Sequence, residues 1–490
     1  MRKPHSFDIF DTLMARRCVE PKNVFHEVEQ RVKLHGFAEH RIRAEQMLAS
    51  GPYTLDDIYA VFHTQFGMAA EVVDYLKQTE IAVEIDNAIG IRENLDAVEN
   101  GDVLITDMYL PRDVILKLLD KIGLRKQVGL IISSSGKHSG QIWPGVHASL
   151  ALEQHVGDNL HSDVRSPLDS GLFAEHLATS TLSSHEQFLR NEGFEQLARV
   201  VREVRLTQLH GGLGREKVSQ RLLQINNNIP ILLLTSVVLK LLSKKTGVSK
   251  ILFSSRDCYY FSRLFSFLSE KAGWNVPSEY FYTSRLTRVG ASPSYLRYFT
   301  GIADAQSLVV DLCGTGWSLG QLYRSAGFMP QTFLLHDLKN KPDLIATYDK
   351  LKKGDQIPTI ALVSDAAINN GCLEMANYVD SGMAIDVKDV PGCASVLPIF
   401  EYPNYPTSVL NAIGEIEAAH EGFRMVLERI DVGALTREIE ANLDKVETVV
   451  TALYKDLTGN MGCMHDIAAY HARQDRKSMW KLGNHARSAE

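Results

Sequence analysis

At 490 residues the chain is too long for one ordinary hydrophobic core, so two or three domains are expected. Its 45% hydrophobic and 23% charged residues give the composition of a soluble globular protein. A formal net charge of -7 argues against the basic surface that phosphate-backbone binding needs, so nucleic acid is not expected as a main partner.

Short apolar runs ending in polar residues recur between helical patterns: Ser6 to Phe10, Val103 to Thr106, Gly129 to Ser133 and His155 to Asp158. Strands alternating with helices predict an α/β fold with a parallel sheet. From about Pro21 to Asn87 the spacing turns helical (Val24, Val28, Val32; Ile58, Val61, Phe62), which predicts a helical insertion after the first strand. A long helical stretch follows Ser183 to about Lys245, broken at Gly211 to Gly214 and at Pro230. A second strand series runs through Lys250 to Ser254, Glu279 to Thr283, Ser307 to Asp311, Thr332 to His336 and Thr359 to Val363. Three amphipathic helices are expected from about Thr407. The expected organisation is a first α/β domain over 1–185, a helical linker over 186–214, and a second α/β domain with a helical extension over 215–490.

Cys18, Cys258, Cys313, Cys372, Cys393 and Cys463 form no CxxC pair and follow no regular spacing, so a disulfide framework or zinc knuckle is not expected. Reduced thiols and the lack of an apolar leader point to a cytoplasmic protein. The most apolar stretch, Ile229 to Leu242, contains Thr235, Ser236 and Lys240 and is shorter than a spanning helix, so it is expected to be buried.

The segment Phe7-Asp8-Ile9-Phe10-Asp11-Thr12-Leu13 puts a carboxylate at the carboxyl end of the first strand, where open α/β sheets place their ligands. An aspartate there can attack phosphorus and split one hard displacement into two. Thr106 ends the next strand with a hydroxyl able to hold a phosphoryl oxygen, and Lys137 follows a third strand as a charge-neutralising cation. Gly157-Asp158-Asn159 with Asp163 adds hard oxygen ligands suited to magnesium.

These four pieces, in this order and each at a strand end, resemble the motifs of the haloacid-dehalogenase (HAD) superfamily over residues 1 to about 180. The resemblance implies that Asp8 is the nucleophile, that Thr106 and Lys137 hold the phosphoryl group, and that Mg2+ is bound by Asp8, the Phe10 backbone carbonyl and Asp158, with Asp163 in support. It also makes the insertion, about 20–90, a C1-type cap. One position departs from the family's phosphatases. Their second aspartate, two residues after the nucleophile, is Phe10 here, and loss of a positioned acid costs about 10²- to 10⁴-fold. Asp11 is the nearest substitute, or else a turn or capping residue.

In Ser307-Leu308-Val309-Val310-Asp311-Leu312-Cys313-Gly314-Thr315-Gly316-Trp317-Ser318 an apolar strand ends in an acid and a Gly/Thr/Ser loop that enters a helix. Such a loop offers N–H groups and hydroxyls to a phosphate at the positive end of the helix dipole. Asp311 is placed for ribose hydroxyls or a metal. The pattern resembles the phosphoribosyl-diphosphate (PRPP) motif of type I phosphoribosyltransferases, with Val310 where a first acid usually stands. A plain strand-to-helix turn is the alternative. Arg256 and Asp257 follow one neighbouring strand, and Arg285 and Arg288 follow the next, as candidate partners for pyrophosphate or as ion-paired surface arginines.

Joined, the halves resemble bifunctional bacterial ribofuranosyltransferases. The resemblance implies transfer of 5-phosphoribosyl from PRPP to a hydroxyl of a lipid-linked glycan, then removal of the 5-phosphate, in the assembly of a surface polysaccharide such as O antigen or capsule. Glu374 is the candidate acceptor base, or a carboxylate at a helix start; Asp365 is a weaker one. Two further readings stand beside this: a HAD sugar-phosphate phosphatase with a C-terminal recognition domain, and a non-catalytic metabolite-binding regulator. In the 471–487 tail, Arg473, Arg476, Lys477, Lys481 and Arg487 surround Trp480, which suits either peripheral contact with the inner membrane face or a solvated helix.

Overall fold

The computed structural model describes residues 2–49, 51–338, 357–390, 396–401 and 404–474. The chain forms two compact units, one of residues 1–184 with 202–213, the other of 185–201 with 214–490. The stretch 186–214, expected as a linker, is thus shared between them. Both units are α/β, each built on five parallel strands.

In the first unit, β1 (Ser6–Phe7) runs into a tight turn and β2 (Met14–Arg16), which pairs antiparallel with β3 (Ala88–Gly90). Between β2 and β3 lie four helices, Asn23–Val32, Phe37–Leu48, Leu55–Thr64 and Ala70–Asn87, so the expected insertion is helical and its two ends are clipped together by a short ribbon. Inside it, Phe37, Tyr59 and Phe62 stack, and buried Arg41 is held by Glu80 at 2.7 and 2.9 Å. Thr54 starts the third helix with a capping box closed by Asp57, satisfying N–H groups the first turn would leave bare. The sheet continues with β4 (Val103–Thr106), β5 (Gly129–Ile132), β6 (Gln154–Gly157) and β7 (Phe173–His176), in the order β5-β4-β1-β6-β7. β4 is buried throughout, as a β-branched run covered on both faces should be. Successive connections leave β1 in opposite directions, so a crevice opens at the carboxyl ends of β1 and β6.

In the second unit the strands are β8 (Lys250–Ser254), β9 (Ser278–Phe281), β10 (Ser307–Gly314), β11 (Gln331–Asp337) and β12 (Ile360–Val363), ordered β12-β11-β10-β8-β9. The order reverses between β8 and β10, which opens the equivalent crevice there. An antiparallel pair, β13 (Met383–Asp389) with β14 (Val396–Glu401), was not expected. The C-terminal helices are Thr407–Leu427, Val432–Ala441 and Leu443–Gly459, and the chain is helical again over 465–474.

Two expectations are corrected here. Pro230 breaks nothing: residues Arg215–Thr246 form one continuous 32-residue helix, because a π turn at Gln224–Asn228 precedes the proline and absorbs its missing N–H. By length and composition that helix could cross a membrane, contrary to the expectation that the stretch is too short. Ile229, Ile231, Leu232, Leu233 and Leu234 are nonetheless fully buried within the unit, as expected. Among the described residues, Cys18, Cys258 and Cys372 are buried, Cys313 and Cys463 are partly exposed, and no disulfide joins any two of them.

Candidate functional site

In the first unit the residues singled out in the sequence meet at the β1/β6 crevice. The Asp8 N–H donates to the Val156 carbonyl at 2.9 Å, which fixes this residue between the two strand ends. Its buried carboxylate contacts the Lys137 ammonium, which also reaches Asp163 Oδ1 at 2.7 Å. Thr106 is buried at the end of β4, two residues beyond Leu104, the register partner of Phe7. Asp158 accepts from the Thr12 hydroxyl at 3.3 Å. Asp163 Oδ2 accepts from the Asn159 N–H at 2.9 Å. Gly157 makes room for this arrangement, since a Cβ there would lie 2.4 Å from Asp163 Cγ.

Burial, against the pull of Lys137, pushes Asp8 up to about 7. Burial and the charges of Asp11 and Asp163 bring Asp158 to about 6. Asp163 goes the other way: burial would raise it, but the hydrogen bond from His155 and the charge of Lys137 hold it down at about 2. For Lys137, burial is outweighed by Asp8 and Asp163, which keep it cationic. Three carboxylates that share one spot at this cost suit a hard divalent cation. Asp8, Asp158 and Asp163 each offer an oxygen, all within 4.8 Å of one another, so the donor set fits Mg2+. The Phe10 ring lies under the Arg16 guanidinium at 4.8 Å, and a backbone bridge from Phe10 to Met14 closes the turn that follows Asp8.

Asp11 stands in this turn with φ +59°, a left-handed conformation that aspartate tolerates better than most residues. Burial raises its pKa, with Arg16 and Arg202 opposing. Its charge acts on Asp158, but it is not among the leading influences on Asp8. Two contributors escaped the sequence reading. The Asp107 carboxylate accepts from the Lys137 and His138 N–H groups at 3.0 and 2.7 Å, cinching the loop that presents Lys137. His155, held near 4 by burial, bridges Ser6 Oγ at 2.8 Å and Asp163 at 3.3 Å. Their signals were present: an acid directly after Thr106, and a histidine inside a buried strand.

In the second unit Arg256 and Asp257 follow β8, and the Arg256 guanidinium lies 4.4 Å over the Tyr378 ring. Asp311 on β10 is raised by burial, and its Oδ2 accepts from Arg288 at 2.9 Å. Arg288 also donates to Thr283 at 3.1 Å. It is therefore a buried ion-pair partner of Asp311, neither a surface arginine nor a free cation. Arg285 is exposed at the start of helix Arg285–Val289. The expected loop is shorter than Cys313 to Ser318. β10 continues through Gly314, with Cys313 paired to His336 and Gly314 to Asp337, because the seven-residue β11 extends the ladder. Only Thr315 and Gly316 turn before helix Trp317–Ala326 begins. Gly316 has φ +77°, and a Cβ there would meet Ile357 at 2.9 Å. Thr315 Oγ1 accepts from the Trp317 N–H at 3.3 Å, while the buried Trp317 indole N–H has no partner among the described residues. Ser318 Oγ lies 3.4 Å from Arg288.

Glu374 is half-buried beside His471, 3.4 Å away, and its charge acts on Cys313, Asp311 and Tyr454. Asp365 is paired with Lys455 at 2.8 Å and caps the Ala367 N–H, which holds it below the usual carboxylate range. Of the tail expected over 471–487, His471 pairs with Glu374 at 3.4 Å, next to Tyr470, whose ring packs on Tyr405 with centroids 5.0 Å apart, and the exposed Arg473 lies 6.0 Å from the Tyr470 ring. Arg476, Lys477, Trp480, Lys481 and Arg487 lie outside the described residues. No protein-family model and no curated protein matches this chain, so the functional reading rests on its own residues and geometry.

Proposed function

We propose that the protein is a bifunctional ribofuranosyltransferase, in which the second unit transfers 5-phosphoribosyl from PRPP to a glycan hydroxyl and the first, a HAD-type phosphatase, removes the 5-phosphate. The observation that carries this reading is that each sheet has its phosphate-competent side chains at one carboxyl-edge switch point: Asp8, Lys137, Asp158 and Asp163 in the first, Arg256, Asp257 and Asp311 in the second. In the phosphatase step Asp8 attacks phosphorus, the alkoxide leaves, and water then releases phosphate from the aspartyl-phosphate. Lys137 neutralises charge on the phosphoryl oxygens, Thr106 donates a hydrogen bond to one of them, and Asp11 is the group available to protonate the leaving alkoxide. Mg2+, held by Asp8, Asp158 and Asp163, would keep Asp8 ionised and screen the incoming phosphate.

In the transferase step the Thr315-Gly316 turn receives the 5-phosphate, Asp311 faces the ribose hydroxyls and Arg256 the pyrophosphate. One observation favours a second reading, a phosphatase with a recognition unit: Asp311 already has Arg288 as a partner. Acceptor-dependent pyrophosphate release decides between them. The transferase reading expects steady release from PRPP in the presence of an acceptor glycan, and loss of it in Asp311→Asn. A protein that hydrolyses sugar phosphates but neither binds PRPP nor releases pyrophosphate contradicts it.

A further inference from the structure

The pairing of His471 with Glu374 beside Arg256 is a site that the sequence reading did not assign. His471 lies on the C-terminal helical segment 465–474, pinned by Tyr470, whose ring packs against Tyr405 and against Tyr378. Tyr378 in turn meets the His471 ring edge-on at 5.8 Å while carrying the Arg256 guanidinium. The imidazole is therefore held in place by aromatic neighbours of the arginine proposed for pyrophosphate.

Its two nitrogens are in different situations. Nε2 faces Glu374 Oε2 at 3.4 Å, while Nδ1 is shielded from solvent and has no hydrogen-bond partner among the described residues. A carboxylate accepting from Nε2–H selects the tautomer whose lone pair is on Nδ1. A buried acceptor without a donor is costly in a folded protein unless a ligand completes it. The same order, a base oriented by a carboxylate, is what proton removal from an alcohol needs.

We propose that His471 Nδ1 is the base that takes the proton from the acceptor hydroxyl, and that Glu374 is a positioning residue that fixes its tautomer. This rests on the transferase reading above and replaces the direct role given to Glu374. In the step, the acceptor oxygen forms a bond to ribose C1, the C1–O bond to pyrophosphate breaks with its electron pair leaving on pyrophosphate, and the hydroxyl proton passes to Nδ1 and then to solvent. The charged groups acting on His471 are Glu374, Asp257 and Arg256. Burial lowers its pKa, but Glu374 and Asp257 outweigh this and place it above the ordinary histidine value, so it is a stronger base than a free imidazole.

The test follows pyrophosphate release from PRPP with octyl hexosides as synthetic acceptors, and with water alone, in the full-length protein. His471→Gln keeps a donor towards Glu374 and removes the base. It is expected to bind PRPP in calorimetry within a few-fold of wild type and to release pyrophosphate at least about a hundredfold more slowly. His471→Ala should behave alike and regain activity with added imidazole. Glu374→Gln should move the acid limb of the pH profile to lower pH, because the negative charge that raises His471 is gone. Wild-type rates in His471→Gln would overturn the inference and leave the transferase reading standing, as would loss of PRPP binding in both His471 variants with their circular dichroism intact. A wild-type protein that neither binds PRPP nor turns it over would remove the transferase reading, and the inference with it.

Discussion

At the scale of single residues, the first unit makes two separable claims. Asp8 is the only carboxylate of its cluster that touches Lys137 while sitting at the end of the central strand, so it is the group able to attack a bound phosphoryl. Asp8→Asn should fold normally and lose Mg2+-dependent hydrolysis of para-nitrophenyl phosphate by more than about a thousandfold, since the nucleophile itself is gone. Retained turnover would place the nucleophile elsewhere. Asp11 carries the weaker claim, with its raised pKa and its influence on Asp158. Asp11→Asn should slow the same hydrolysis about a hundredfold, the usual contribution of a positioned acid; a wild-type rate would reduce Asp11 to a turn residue. Asp8, Thr106, Lys137 and Asp158 were legible in the sequence because each ends or follows a short run readable as a strand, and Asp163 because it lies five residues after Asp158. His471 was not, because the role proposed for it depends on a helix folding back from about 150 residues beyond β10, and no local pattern encodes that.

At the scale of elements, the buried strands β4, β8, β10 and β11 were readable from apolar runs to within a few residues. β7 was not: its four residues, Phe173–His176, lie at the sheet edge and are largely exposed, so burial imposes no pattern. The end of β10 was misjudged for a related reason, since pairing with β11 extends a ladder that glycine would otherwise close. Gly316 then carries the whole turn. Gly316→Ala should destabilise the second unit by about 1–2 kcal/mol and weaken PRPP binding, through its left-handed backbone and the contact with Ile357. An unchanged denaturation midpoint would show that the turn relaxes freely. A second element-scale test concerns the helix Thr407–Leu427. There His420 stacks on Tyr260 at 4.3 Å with Nε2 unpartnered among the described residues, and burial, aided by the charge of Arg263, lowers it to about 3. Its folded pKa is below the unfolded value of about 6.5, so between these the unfolded chain takes up a proton that the folded chain refuses. Stability is therefore expected to fall as pH drops from about 6.5. His420→Phe keeps the stack and removes this proton. Between pH 7 and pH 5 the variant should lose about 2 kcal/mol less than wild type in guanidinium unfolding, and equal losses would contradict the burial argument.

At the scale of the whole molecule, the proposed function joins two α/β units, each with its proposed site at a strand-order reversal, into one reaction sequence. The division into two α/β halves was visible as two strand series separated by a helical stretch. The sharing of residues 185–213 between units was not, because helical periodicity says which face is apolar and nothing about which core receives it. The central claim is that one chain both adds a phosphorylated ribose and removes its phosphate. The most direct measurement is the mass of the acceptor glycan after incubation with PRPP and Mg2+, for wild type and for Asp8→Asn. The account predicts a pentose increment with wild type and a pentose phosphate increment with Asp8→Asn. An unmodified acceptor in both, or a product free of phosphate from Asp8→Asn, would contradict it.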